Sequence, residues 1–223
     1  MIEVGGLFFP DGEKHFTAYG EGVADYQRPQ RDYAFTFVKD WRLAVDVGGH
    51  CGIFARHFAT RFERVMTFEP MAELRECLAL NVPKNVEIIA KAVSDKSGVC
   101  QIVALTSGNS GSSFIVDDER VDAGVSLEGL ADTRIVEVPM VSIDSLNLPY
   151  LGLLKVDVQG ADHLVLAGAV ETFKRCGTVV IAEEKPIGGK HGSTAHITSM
   201  HEIMAAAGAT LQDRVGADRI YTF

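Results

Sequence analysis

Leu43-Ala44-Val45-Asp46-Val47-Gly48-Gly49-His50-Cys51-Gly52, continued by IFARHFATRFERVMTFE to Glu69, is the stretch from which the rest of the chain can be read. An apolar run reaches a carboxylate at Asp46 and enters a turn rich in glycine, as a buried strand running into a tight loop does. Ile53, Phe54, Phe58 and Phe62 then recur at helical spacing. A second apolar run, Val65-Met66-Thr67-Phe68, ends on Glu69. The unit is strand, glycine loop, helix, strand, acid.

Such a unit suits a nucleoside. A strand that feeds a helix through glycines is expected to bring a ligand against bare backbone N–H groups at the helix N-terminus. An acid about twenty residues after the loop is placed to accept hydrogen bonds from ribose hydroxyls. A nicotinamide dinucleotide calls for G-x-G-x-x-G, but counting from Gly48 puts His50 and Ile53 where the second and third glycines belong. The spacing present is D-x-G-x-x-x-G. Asp46 would oppose a pyrophosphate and favour a cationic ligand, and S-adenosylmethionine has a ribose, a sulfonium and no phosphate. The bland alternative is a generic α/β turn in which Asp46 only caps the following helix.

With 223 residues, 47% hydrophobic, the chain suits one domain, 1–223, with a substantial core. A net charge of −9 argues against a protein that lives on a phosphate backbone, so no nucleic-acid partner is expected. Cys51, Cys77, Cys100 and Cys176 include no C-x-x-C and read as free thiols. No apolar run spans a bilayer, and MIEVGGLFFPDGE carries no basic leader, so a cytoplasmic protein without membrane association is expected.

Residues 1–40, with Phe16, Tyr19, Tyr26, Tyr33, Phe35 and Phe37, read as a cover or lid. After Glu69, Pro70 suits the first turn of a helix with Met71, Leu74, Cys77 and Leu78 on one face. A strand at Val86–Ile89 precedes Ala92-Val93-Ser94-Asp95, a small residue beside a polar acid that suits an adenine. Residues 99–150 form a β-rich insertion with strands at Val99–Leu105, Ser113–Val116 and Ile135–Val141. Its Gly/Ser tract makes Asn109, Ser110 and Ser112 candidates for binding the acceptor, if the tract is more than a flexible loop. The sheet resumes at Leu153–Val158, which carries Asp157, and Leu164–Cys176 reads as one helix. Thr178–Ala182 closes on Glu183, a further acceptor-binding candidate. A helix from Ser193 or Thr194 to Gly208 and a closing hairpin complete the chain.

In an open parallel sheet the ligand crevice lies outside the carboxyl ends of the strands. Asp46, Glu69, Asp157 and Glu183 all satisfy this, and acids are rarely placed there for stability. His191, His196 and His201 recur every five residues, which does not keep them on one helix face, so no metal site is expected. Asn147-Leu148-Pro149-Tyr150 is similar to the N-P-P-Y box of nucleic-acid amino-methyltransferases, but it precedes the Asp157 strand instead of following it.

Over roughly residues 42–186 the ordered blocks VDVGGHCG, TFEP, AKAVSDKSG, GNSGSSF, VSIDSL, LLKVDVQGAD and VVIAEE resemble those of the FkbM-family S-adenosylmethionine-dependent methyltransferases. The resemblance implies a class I methyltransferase, a Rossmann-like α/β fold. Its mostly parallel seven-stranded sheet would have helices on both faces and the β-rich insertion before the fourth strand. It also implies O-methylation of a sugar or other small hydroxylated metabolite. By that similarity Asp46, Gly48, Gly49, His50 and Gly52 shape the cofactor loop, and Glu69 with Pro70 holds the ribose. Ser94 and Asp95 lie near the adenine, and Asp157 stands by the transferred methyl. Asp157 and His163 are the catalytic candidates, since a hydroxyl nucleophile must lose a proton. Two departures stand out: His50 replaces a common Asn, and D-V-Q-G-A-D replaces D-x-E-G-A-E at Gln159 and Asp162. These leave a non-catalytic nucleoside-binding module as the main alternative, with a nicotinamide-dependent oxidoreductase behind it.

Overall fold

The computed structural model describes residues 1–105, 114–115, 133–186 and 194–223. The lead-in forms a hairpin of β1 (Ile2–Val4) and β2 (Leu7–Phe9), a 3-10 stretch at Thr17–Asp25 and helix α1 (Arg28–Phe35). The glycine-loop unit follows as β3 (Leu43–Val47), α2 (Ile53–Phe58) and β4 (Arg64–Phe68), then α3 (Ala72–Asn81) and β5 (Val86–Ile89). Next come β6 (Ala92–Val93), just ahead of the expected insertion, and then β7 (Gly98–Leu105), β8 (Phe114–Ile115) and β9 (Thr133–Val141) within it. The last part contains β10 (Leu153–Val156), α4 (Asp162–Ala167), α5 (Val170–Cys176), β11 (Val179–Glu183), α6 (Ala195–Ala206), β12 (Thr210–Val215) and β13 (Asp218–Thr222).

The main sheet has seven strands in the order β12-β13-β11-β10-β3-β4-β5. All its pairings are parallel except those of β13, which runs antiparallel to β11 and β12. Strand period sorts the side chains into two layers. Val45, Val47, Met66, Phe68 and Val156 join Val165, Leu166, Phe173, Met200 and Met204 of α4, α5 and α6. Ala44, Val65, Leu153 and Ile181 join Phe35, Phe54, Phe58 and Phe62 on the opposite face. Helices on both faces explain why the central strands read as continuous apolar runs.

The insertion does not extend this sheet. Its strands join β6 in a separate four-stranded sheet, β6-β9-β7-β8, that enters the chain between β5 and β10. A third apolar cluster joins it to the lead-in and α3 through Leu7, Phe9, Val23, Leu74, Cys77, Ile102 and Val138.

Two expected elements differ. Leu164–Cys176 is two helices broken at Gly168-Ala169. At Gly168 a Cβ would meet the Ser94 carbonyl oxygen at 2.3 Å, and the Asp144 carboxylate accepts bonds from the N–H groups of Glu171 and Thr172, starting α5 afresh. Helix α3 begins at Ala72, with Met71 as its N-cap, so Pro70 precedes the helix and is not in its first turn. Among the described residues no helix is long and apolar enough to cross a membrane, and all four cysteines are free thiols.

Candidate active site

Register fixes the floor of the site. Asp46 of β3 lies directly opposite Lys155 of β10 and Thr67 of β4. The Asp46 carboxylate is fully buried, with Lys155 Nζ at 3.4 Å and a hydrogen bond from Thr67 Oγ1 at 3.3 Å. Lys155 Nζ also donates to the Gly48 carbonyl at 3.0 Å, lies 3.7 Å from Asp157 Oδ2, and sits 4.9 Å from the centre of the Phe54 ring. Burial works to lower the pKa of Lys155, and Asp46, Asp157, Asp218 and Glu183 outweigh it, so the ammonium is held above its ordinary range. Burial works to raise that of Asp46, and Lys155 is the chief opposing influence.

Above this floor the glycine loop is closed on the protein itself. The N–H groups of Gly48 and Gly49 both donate to the Phe68 carbonyl at 3.0 Å, and that of Gly52 donates to Gly49. The His50 N–H donates to Glu69 Oε2 at 2.9 Å, and the Met71 N–H to Glu69 Oε1 at 2.8 Å. Gly48, at φ 80°, is required by close approach to another strand: a Cβ there would stand 2.0 Å from the Asp157 carbonyl oxygen. The expected row of bare N–H groups is therefore not what the loop offers. Its glycine at 48 serves strand packing, and its N–H groups at 48, 49, 50 and 52 already have acceptors. Burial pushes the Glu69 carboxyl up to about 7 despite its two backbone bonds.

Asp157, Gln159 and Glu183 form the opposite rim of the same cleft. Gln159, in the left-handed region at φ 57°, turns its amide back so that Nε2 donates to Asp157 Oδ1 at 2.7 Å and Glu183 Oε2 at 3.3 Å. Burial and the neighbouring carboxylates push Glu183 up to about 9, and Asp218, its partner across β13, up to about 7. Asp162 has a structural task. It accepts the N–H groups of Val158 and Gly160 and thereby closes the turn after β10.

The lead-in supplies the last wall through His15, Phe16, Tyr26 and Gln27. The Phe16 ring packs 5.0 Å from Tyr26 and 4.9 Å from His50, and burial pushes the His50 imidazole down to about 4. Three polar side chains fasten this wall. Arg31, fully buried, donates to the carbonyls of Ile53, Ala24 and Tyr26. Asn81 bonds both backbone groups of Phe8 and the Cys51 carbonyl, and Glu13 accepts from the N–H groups of His15 and Phe16.

Of the residues expected from sequence, Gly48, Gly49, His50, Glu69, Pro70, Asp157 and Glu183 line one cleft. Asp46 lies beneath it and reaches it only through Lys155. Gly52 caps α2 from behind the loop. Ser94 is buried under Gly168, and Asp95 is exposed beyond it. It is Ala92 and Val93 that line the cleft. His163 is not among the lining residues; its ring lies 6.2 Å from that of His196. Asn109, Ser110 and Ser112 fall outside the described residues. No cluster of three metal-ligating side chains occurs among those described. The sequence reading missed Lys155, whose signal was a lysine inside the apolar run LLKVDV, and it named Tyr26 only as one of six aromatic residues of the lead-in cover, with nothing to set it apart from the others.

A structural relative, an FkbM methyltransferase from Methylobacillus flagellatus KT, superposes with a TM-score of 0.51 at 12% identity, over 94% of this chain. The chain spans 55% of that protein. A protein described as a putative rRNA methylase from Clostridium thermocellum gives a TM-score of 0.50 at 12% identity, over 89% of this chain and 93% of its own. At such identities the likeness is one of fold. No curated protein matches the sequence significantly. Residues 46–209 match the family model described as the methyltransferase FkbM domain. They run from the buried Asp46 through Glu69 and Asp157 to the end of α6, so the chain belongs to the FkbM methyltransferase family.

Proposed function

We propose that this protein binds S-adenosylmethionine in the cleft between the glycine loop and the lead-in and methylates a hydroxyl of a sugar or other small metabolite. The observation that carries the reading is Glu69. Its carboxylate lines the cleft, and the two backbone N–H groups it accepts leave about half of its lone-pair sites for ribose hydroxyls. Met71, Leu74, Ala92, Val93 and Ile102 offer an apolar shelf suited to an adenine face. The engaged loop N–H groups leave no cradle for a pyrophosphate, which counts against a nicotinamide dinucleotide.

When bound, the cofactor supplies a methyl group already activated by its sulfonium. What remains for the chain is positioning and proton removal. Asp157, held by Gln159 and faced by Lys155, fits a cationic part of the ligand. Phe16 and Tyr26 would close the acceptor side against water, which makes the lead-in a lid fixed by Arg31. The net charge of −9 supports a small acceptor over a nucleic acid.

The test is transfer of labelled methyl from S-adenosylmethionine to a panel of sugars and hydroxylated metabolites. Incorporation that Asp157→Asn reduces is expected. Folded protein that binds the cofactor yet labels no member of a broad panel would favour the non-catalytic binding module.

A further inference from the structure

The acceptor side of the cleft holds more negative charge than it can keep. Around Glu183 stand Lys155 from β10, Asp157 and Gln159 from the turn after it, Asp162 at the start of α4, Asp218 from β13, Lys185 from its own segment and Tyr26 from the lead-in. Of these groups Lys155 is the one buried cation, and it is already shared between Asp46 and Asp157. Lys185 is exposed. Asp218, 5% exposed, leaves Oδ2 without a hydrogen bond among the described residues. Gln159 gives Glu183 one donor at 3.3 Å, which is little for a buried carboxylate. Burial, then the charges of Asp157, Asp162 and Asp218, favour a proton on Glu183.

From this arrangement we infer that Glu183 is a catalytic proton acceptor that is armed by the cofactor: the Glu183–Asp218 pair, beside Asp157, holds a proton until a cationic ligand enters, and then releases it to solvent. The inference rests on the cofactor reading above and goes beyond it. Once the pair has lost that proton, a hydroxyl in the cleft can pass its own to a Glu183 oxygen. The electron pair of the broken O–H bond stays on the hydroxyl oxygen for bond formation. Gln159 is then a positioning residue, whose amide donates to the Asp157 and Glu183 carboxylates at once and holds them at the cleft. An acid at that position would add a further charge and bring no donor.

The arming depends on net charge. S-adenosylmethionine carries one positive charge more than S-adenosylhomocysteine, so the two should differ in how many protons they displace. Calorimetric titration of the full chain with each ligand at pH 7.5, in phosphate and in Tris, reads that number from the dependence of the heat on buffer ionisation. About half a proton to one proton should leave on binding S-adenosylmethionine, and clearly less on binding S-adenosylhomocysteine. Glu183→Gln should still bind both and lose the difference between them, while Asp218→Asn, which relieves the crowding, should shrink it. Equal proton release for the two ligands, or a difference undiminished in Glu183→Gln, would overturn the inference while leaving cofactor binding intact. Absence of binding by either ligand would remove the cofactor reading and this inference with it.

Discussion

The two rims of the cleft are built in opposite ways. On the rim of β3 and β4, the glycine loop and Glu69 come from one contiguous stretch and satisfy one another: His50 and Met71 donate to Glu69, and Phe68 accepts from Gly48 and Gly49. The other rim takes Asp157, Glu183 and Tyr26 from three distant segments, with Asp218 packed behind Glu183, and its carboxyls are crowded and short of donors. A rim that satisfies itself can hold a ligand in one pose. Crowded carboxyls instead wait for a partner to change their ionisation.

The largest effect should come from beneath both rims. Asp46→Ala leaves the Lys155 ammonium buried without its nearest carboxylate, and should destabilise the fold by about 3–5 kcal/mol, lowering Tm by about 10 °C in a melting experiment. Asp46→Leu combined with Lys155→Met should recover most of that loss. If Asp46→Ala melts like the parent, the pair does not hold the two rims together.

Next comes the ordered rim. Glu69→Ala removes the acceptor of two backbone N–H groups as well as the proposed ribose partner, so S-adenosylhomocysteine affinity should fall by about 2–3 kcal/mol, roughly 30- to 150-fold.

The crowded rim should show itself in the pH dependence of stability. Folding raises Glu183 to about 9 and Glu69 and Asp218 to about 7, so the folded protein keeps protons that the unfolded chain has already released. The stability these groups contribute is therefore present at low pH and is lost as pH rises through their folded values. His50 acts only on the acid side, below its ordinary value of 6.5, because it stays neutral in the fold down to about 4. Between pH 6.5 and pH 9, Tm measured without ligand should decline, and Glu183→Gln should flatten the decline. A Tm that rises over that window would contradict the crowding.

The smallest effect separates the rims most cleanly. Tyr26→Ala should leave S-adenosylhomocysteine affinity within about threefold, and lower turnover of an identified acceptor by about tenfold. Equal losses in both would mean that the lead-in serves the cofactor and not the acceptor.

The same contrast explains what the sequence discloses. The parallel sheet, its closing hairpin and the separate β-rich insertion are written in period and punctuation, and Glu69 follows from its place after β4. Asp46 is legible as an acid at a strand end. Its role is not, because that depends on which strand lies beside it, and Lys155 is more than a hundred residues away in sequence. Ser94 and Asp95 carry the polar signal of a binding loop, yet the side chains that reach the cleft are the apolar pair before them, since Gly168 seals the turn. The break at Gly168 is likewise invisible to helical periodicity, because the group that starts α5 is Asp144 from another segment. Tyr26 is placed by Arg31, whose three carbonyl partners come from the lead-in and α2.

The most direct test of the central claim is calorimetric titration of the purified protein with S-adenosylhomocysteine, set against NADH and repeated on Glu69→Ala. The account predicts saturable binding of the first ligand only, weakened at least tenfold by the substitution. Binding of NADH in preference, or S-adenosylhomocysteine binding that a folded Glu69→Ala protein retains undiminished, would contradict it.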